Sequence, residues 1–402
     1  MILGDRSMQV GKNSAISDIS RQHSRSLDST ADQLSPLIAY ALRGLRNCWM
    51  PEHGRWSHIY HLDGRGQPNE SVPESDVFYS LNVLLGFSRI AYLNLNHGFD
   101  LPKIFRDNVS LIPKLNSAKY AYGMALWAAA ELGLDIPEDT LLPIASLVEN
   151  RQLWETFRAQ DLGMILIGCV EQARRAASGR WHATAQELFA FLSQRFSCPS
   201  GLFLDAAVSR RRRFSSFASN TYLSLACYIY GEWSGNQYAL RLAKACTRKL
   251  IELQGPQGEW PWFFYTPGGR VVDFYEVYSV HQGGMAPAFL ECAEQHGVPG
   301  ATDALVRGFN WIFGQNQMNR SMLWRREGLI CRSLVRKGEF NNKRKRVMRA
   351  IANAVTGPSA TLTDPSRLDL RLECRSYELG WILWSFGRRS DLTEIRYHPD
   401  LL

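Results

Sequence analysis

Asp273, Glu276, Tyr278 and His281 fall within nine residues, inside the stretch GEWPWFFYTPGGRVVDFYEVYSVHQGG that runs from 258 to 284. Carboxylates, a phenol and an imidazole at this spacing are groups that can exchange protons with a bound molecule near neutral pH. Glu276 and His281 lie five residues apart across the start of an apolar helical run, so both can reach one cavity, with Tyr275 or Tyr278 beside them. Cleavage of a bond by water would instead need two carboxyl groups facing that bond, one to give a proton and one to take it. Asp76, Asp161, Asp273 and Glu276 are the candidates for that pair. Capping and dipole stabilisation also explain an aspartate or histidine at a helix start, which is the competing reading of Asp76, Asp161 and His281.

The same stretch carries Trp260 and Trp262, whose flat apolar faces suit the apolar face of a pyranose ring or, equally, a cap on the hydrophobic core. Arg210 to Arg213 precede the polar run FSSFASNTY, which favours a place for Arg212 and Arg213 at a cavity rim, where they would attract an acidic ligand. His53, His58 and His61 share one loop with loose metal-ligand spacing, but no second cluster completes a site, and neither metal nor cofactor is expected. Asn316 and Asn319 are expected to fix a loop.

Those residues need a scaffold, and periodicity supplies one. Helical patterns run over about 34–48, 75–95, 101–115, 116–133, 138–150, 159–176, 180–197, 215–232, 236–254, 279–296, 300–315 and 374–387, with almost no convincing strand pair between them. The odd members are amphipathic: Trp181, Ala185, Leu188, Leu192 and Phe196 share one face of the seventh, and Leu242, Cys246, Leu250 and Leu253 one face of the ninth. The even members, such as YGMALWAAAELG, DLGMILIGCV and NTYLSLACYIYG, are apolar nearly all round, as helices enclosed by other helices are. Their recurrence every 40 to 70 residues predicts an all-α fold, an (α/α)6 barrel of six helical hairpins with an inner ring of even helices and an outer ring of odd ones.

Inner helices of such a ring run in one direction, so their N-termini gather at one end, where unpaired N–H groups favour anionic or hydroxyl-rich ligands. Asp76 with Tyr79, Lys119 with Tyr120, Asp161, Asn220 with Tyr222, His281 with Gln282, and Tyr377 with Glu378 would meet there. The loops entering these helices are long and the turns leaving them short, which places function at the same end.

Composition sets limits. The chain has 402 residues, of which 45% are hydrophobic, enough for a large core. No apolar run is long enough for a membrane span or a signal peptide, so a cytoplasmic protein is expected. Residues 1–33 read as a disordered polar arm, 34–390 as one barrel with a basic insertion at about 336–370, and 391–402 as a tail. The eight cysteines contain no CxxC pair and read as reduced core residues. The net charge of +8 is carried by two clusters, Arg210 to Arg213 and Lys343 to Arg346, which leaves no uniformly cationic face for nucleic acid.

With these features the sequence resembles the six-hairpin glycosidase-like superfamily, over residues 34 to 390 as an architecture. NWIFGQNQMNRSM at 310–322 is similar to a W-x-x-G-x-N segment of barrel glycosidases, and GEWPW before YSVHQGGMAPAFLECAEQHG is similar to the tryptophan loop and inner helix of uronate-epimerase-like domains. The resemblance implies a carbohydrate-active enzyme using Asp/Glu pairs or Tyr, His and Glu at the inner-helix N-termini, with an acidic, uronate-containing saccharide as partner and lyase, epimerase or hydrolase chemistry. For uronate C5 chemistry, His281 and Glu276 suit proton transfer, Tyr278 a weak acid, and Arg212 or Arg213 the substrate carboxylate. The paired histidine and tryptophan-rich signatures of sugar 2-epimerases are absent. LQGPQGEWPW also resembles the QW repeat of terpene cyclases, another α-toroid, but the chain lacks the DxDD and DDxxD motifs. A glycan-binding or scaffold toroid without catalysis is the remaining alternative.

Overall fold

In a computed structural model of the protein, the described residues are 34–115, 119–176, 179–339, 343–356 and 364–402. The expected arm over 1–33 and parts of the basic insertion lie outside them. Twelve barrel helices follow the predicted order: α1 Pro36–Asn47, α2 Pro73–Ser88, α3 Leu101–Val109, α4 Tyr120–Leu132, α5 Glu138–Glu149, α6 Ala159–Arg175, α7 Gly179–Arg195, α8 Phe217–Ser234, α9 Gln237–Leu253, α10 His281–Gln295, α11 Ala301–Phe313 and α12 Ser376–Phe386. The second ends at Ser88 rather than 95, and the third at Val109 rather than 115.

The even helices form a closed ring: α2 packs on α4, α4 on α6, α6 on α8, α8 on α10, α10 on α12, and α12 back on α2. Each of α3, α5, α7, α9 and α11 packs outside the inner helix that precedes it, and α1 packs on α12. The first helix of the barrel thus completes the hairpin of the last, and the architecture is an (α/α)6 barrel. Inner helices are buried on every side, as along Ala121–Ala129 in α4, whereas α7 buries a stripe of Trp181, Ala185, Leu188 and Leu192. Each large aliphatic or aromatic side chain in this core contributes about 1.5–3 kcal/mol. Close approach within the ring uses glycine: a Cβ on Gly123 would fall 2.4 Å from the backbone of Met164 and Ile165. Residues 35–402 make up one compact unit, and among the described residues no helix is long and apolar enough to cross a membrane.

The long loops differ from expectation. Among the described residues they hold thirteen short strands in five small sheets. Three of these shape the site: Ile59–His61 with Asn69–Glu70 and Glu373–Cys374; Val277–Tyr278 with Ser333–Arg336 and Leu368–Arg371; and Phe214–Ser216 with Phe263–Tyr265 and Arg270–Asp273. Strands of two to four residues are shorter than the window over which alternation can be read, so the sequence pattern misses them. All eight cysteines are free, and six are buried. His61 pairs with Glu70 at 2.7 Å while His58 stacks on Tyr79, so the loop histidines have separate environments.

Candidate active site

Helix α10 opens with a π-turn over His281–Met285. Gly283 and Gly284 let it sit against α11 and α12, since a Cβ at Gly284 would lie 2.5 Å from that of Trp381. His281 stands at the start of this turn, packed by the rings of Phe217 at 4.7 Å and Tyr278 at 5.1 Å. Its Nδ1 is buried and has no hydrogen-bond partner. Burial first, and the Arg332 guanidinium second, push its pKa down to about 3, which leaves a neutral imidazole with an open nitrogen.

Arg332 is the hub. It lies just before the strand Ser333–Arg336, its guanidinium carbon 5.4 Å from the centre of the Tyr278 ring. Burial opposes its charge, but Tyr278, Tyr79, Glu276 and Tyr377 around it hold its pKa above the usual guanidinium range. His58, from the loop before α2, stacks on Tyr79 at 4.7 Å, and Tyr79 meets Tyr377 at 4.4 Å. Desolvation, then Arg375, Arg332 and Arg371, lower the His58 pKa to about 3, and its Nδ1 also lacks a partner. Two neutral histidines therefore flank one fixed cation.

A second charged group supports the first. Arg332, Arg371 and Arg375 converge on Glu373 at 3.3, 3.1 and 2.9 Å. Burial resists ionisation of Glu373, but Arg375, Arg371 and Arg332 together hold it below the usual carboxylate range. Three cations around one anion leave an excess of positive charge facing the tyrosines. Glu276 is buried and occupied: Ser333 Oγ donates to Oε1 at 2.5 Å, Tyr278 Oη donates to Oε2 at 3.1 Å, and Arg371 lies 3.4 Å from Oε1.

Three carboxyl groups sit beneath this layer at inner-helix N-termini. Asp76 is fully buried, takes a hydrogen bond from Ser71 on Oδ2 and has no partner on Oδ1. Asp161 accepts from the Arg158 N–H at 3.0 Å, and Glu378 accepts from Ser279 Oγ at 2.9 Å while its Oε1 has no partner. Desolvation raises the pKa of all three. Tyr120 and Tyr222 join the same field, both raised by burial.

The structure thus brings together Glu276, Tyr278, His281, Tyr377 and Tyr222, while Asp76 and Asp161 stand in the first turns of α2 and α6. Other candidates lie elsewhere. Asp273 is locked to Arg336 by two bonds of 2.8 and 3.0 Å, and Tyr275 is buried with Arg336 over its ring at 4.7 Å. Trp260 is fully buried against Phe217 and Phe289, so it is a core residue and not a surface for a sugar. Asn220 is spent on Ser215, Ser216 and the Phe203 N–H, and Gln282 on the Trp260 N–H and the Tyr278 carbonyl. Lys119 is half-buried over Tyr122 at 5.6 Å. Trp262 is half-buried against Phe263, and Arg212 and Arg213 are exposed. Asn316 does fix its loop, bonding Trp311, Met318 and Arg320.

Sequence reasoning missed Arg332, Arg371, Glu373 and Arg375, and weighed His58 only as a metal ligand. A signal existed: Arg371, Glu373 and Arg375 alternate with Leu372 and Cys374, the period of a strand with one charged face.

No family model and no curated protein matches the sequence. Solved structures do match in shape. Cellobiose 2-epimerase from Bacillus thermoamylovorans B4167 aligns with a TM-score of 0.61 at 10% identity, over 88% of this chain and 98% of that one. A possible member of the GH105 family from Klebsiella pneumoniae subsp. pneumoniae MGH 78578 gives 0.55 at 13% identity, over 95% and 98%. A UGL variant, an unsaturated glucuronyl hydrolase, in complex with dGlcA-Glc-Rha-Glc gives 0.52 at 14% identity, over 90% and 97%. Identities this low speak for fold alone, and the fold shared with these structures is an (α/α)6 barrel.

Proposed function

We propose that the protein is a carbohydrate-active enzyme that acts on an acidic, uronate-containing oligo- or polysaccharide by removing the proton at C5, as an epimerase or a lyase does. The observation that carries this reading is the neutral His281 imidazole, its buried Nδ1 without a hydrogen-bond partner, in the field of the Arg332 charge and packed on the Tyr278 ring. A uronate carboxylate paired with Arg332 would offset the smaller, electrostatic part of the depression of His281 and make the imidazole a better base. Loss of the C5 proton to His281 places charge on the carboxylate oxygens, where Arg332 stabilises it. Return of a proton to the opposite ring face inverts C5, whereas departure of the C4 oxygen with its electron pair, protonated by an acid such as Tyr278, leaves a C4–C5 double bond. Glu276 positions Tyr278 through their 3.1 Å hydrogen bond.

Hydrolysis is the second reading, favoured by the burial of Asp161 and Glu378, which raises the pKa of each in the direction a general acid requires. The polar ring of charged and phenolic groups speaks against an apolar isoprenoid substrate. Eight free thiols fit a reducing, cytoplasmic compartment. Incubation with uronate oligosaccharides in heavy water tests the reading by mass spectrometry and NMR. Deuterium at C5 or a new unsaturated end is expected; cleavage with uptake of water and neither change would establish hydrolysis, and binding without turnover a glycan-binding toroid.

A further inference from the structure

The two basic clusters lie more than 100 residues apart in the sequence, yet the elements that carry them meet opposite edges of one small sheet. The turn Arg210–Arg213 leads directly into the strand Phe214–Ser216, and the Arg213 carbonyl accepts from the Thr266 N–H at 2.8 Å. At the other edge, the helix Lys343–Thr356 packs on the strand Arg270–Asp273. Asn353 donates to the Val272 carbonyl there, and Arg270 donates to the carbonyls of Asn353 and Ala354.

Across this sheet, between those two elements, runs a half-exposed file of aromatic rings. Trp262 stacks on Phe263 at 5.0 Å, Phe263 on Phe214 at 5.8 Å, and Phe214 meets Tyr265 at 5.4 Å. The Arg270 guanidinium closes the file over Tyr265 at 5.4 Å. Phe214, Tyr265 and Arg270 are register partners across the three strands and so share one face. Arg212 and Arg213, which run into the strand Phe214–Ser216, are exposed, and Arg344 is exposed in the first turn of the helix that packs on the opposite edge. The first turn of the flanking helix is KRKR with no acidic residue, an arrangement that opposes the helix dipole and that a bound anion would relieve.

One backbone hydrogen bond and one buried ring separate the file from His281. The Trp262 carbonyl accepts from the N–H of Phe217, whose ring packs on His281. A chain of alternating charge, buried Asp273, Arg336 and Glu339 and then exposed Arg349, ties the basic helix to the loop that holds Glu276.

We propose that this aromatic file and its flanking arginines form a docking surface for an acidic polysaccharide, holding the part of the chain that extends beyond the catalytic centre. The inference rests on the saccharide reading of the centre. Ring faces of successive sugars match the flat aromatic file, and a carboxylate on each sugar matches the cations at its borders. Nucleic acid shares the charge and serves as the control.

Affinity electrophoresis of the full chain through gels containing alginate, polygalacturonate, hyaluronate, dextran or single-stranded DNA tests this directly, because it reads binding without turnover. Retardation is expected in at least one of the three acidic polysaccharides and none in dextran. Combined Arg212→Glu, Arg213→Glu and Arg344→Glu should weaken that retardation roughly tenfold or more, since three exposed charge pairs are lost. An unchanged circular dichroism spectrum shows that the variant folds; if it does not fold, the corresponding glutamine variant replaces it. His281→Gln should be retarded like the wild type, which separates this surface from the chemistry. No retardation in any acidic polysaccharide, retardation only in DNA, or retardation unchanged by the arginine substitutions overturns the proposal.

Discussion

The Arg332 guanidinium carbon lies 5.4 Å from the centre of the Tyr278 ring, and this contact joins a strand after α11 to the loop before α10. Across it, a fixed cation meets a phenol that is hydrogen-bonded to Glu276 and packed on His281. Everything proposed for the chemistry depends on that junction.

Arg332→Gln should raise the pKa of both His281 and His58, because Arg332 contributes to the depression of each. Burial is the larger cause in both, so neither should return to 6.5. Imidazole NMR titration checks this, and an unmoved His281 would remove Arg332 from its surroundings.

The pH dependence of stability has a definite sign. His281 titrates near 3 in the folded protein against an ordinary 6.5, so below 6.5 the unfolded chain binds more protons and stability falls. The contribution of His281 is complete above about pH 6.5 and is lost as pH drops towards 3. The raised carboxyls Asp76, Asp161 and Glu378 act in the opposite sense, contributing at low pH and losing that contribution as pH rises through their folded values. Thermal melts across pH 3 to 7 should therefore show a shallower acid slope for His281→Gln than for the wild type; equal slopes would place the acid sensitivity elsewhere.

Trp260→Ala should cost about 3–5 kcal/mol of stability, as for other buried aromatics. Trp260→Phe should retain both fold and saccharide binding. Chemical denaturation with a binding assay distinguishes this from a sugar platform, for which binding would fail while stability held.

Arg336→Met strands Asp273 as a buried charge and should destabilise by about 3–5 kcal/mol. Adding Asp273→Leu should recover much of that loss. A double-mutant cycle in denaturant measures it, and additive losses would mean that the pair is not coupled.

The barrel was legible because its helices are long and their burial differs: the stripe of α7 and the uniformly apolar α4 and α6 declare outer and inner layers. His281, Glu276 and Tyr278 were legible as neighbours in sequence. Arg332 was not, because its position depends on strands of two to four residues that pair across more than 50 residues, as Ser333 does with Tyr278. Trp260 misled because a tryptophan in a glycine- and proline-rich loop looks available, whereas the close approach of Gly308 to its indole encloses it in the core.

The most direct test of the central claim is C5 proton exchange in heavy water, followed by NMR on uronate oligosaccharides, for the wild type, His281→Gln and Arg332→Gln. The account predicts exchange or elimination by the wild type and a loss of about 10²–10⁴-fold in the His281 variant, the usual contribution of a general base. Arg332→Gln should lose activity as well. Wild-type rates in the His281 variant, or cleavage that leaves the C5 proton in place, would contradict it.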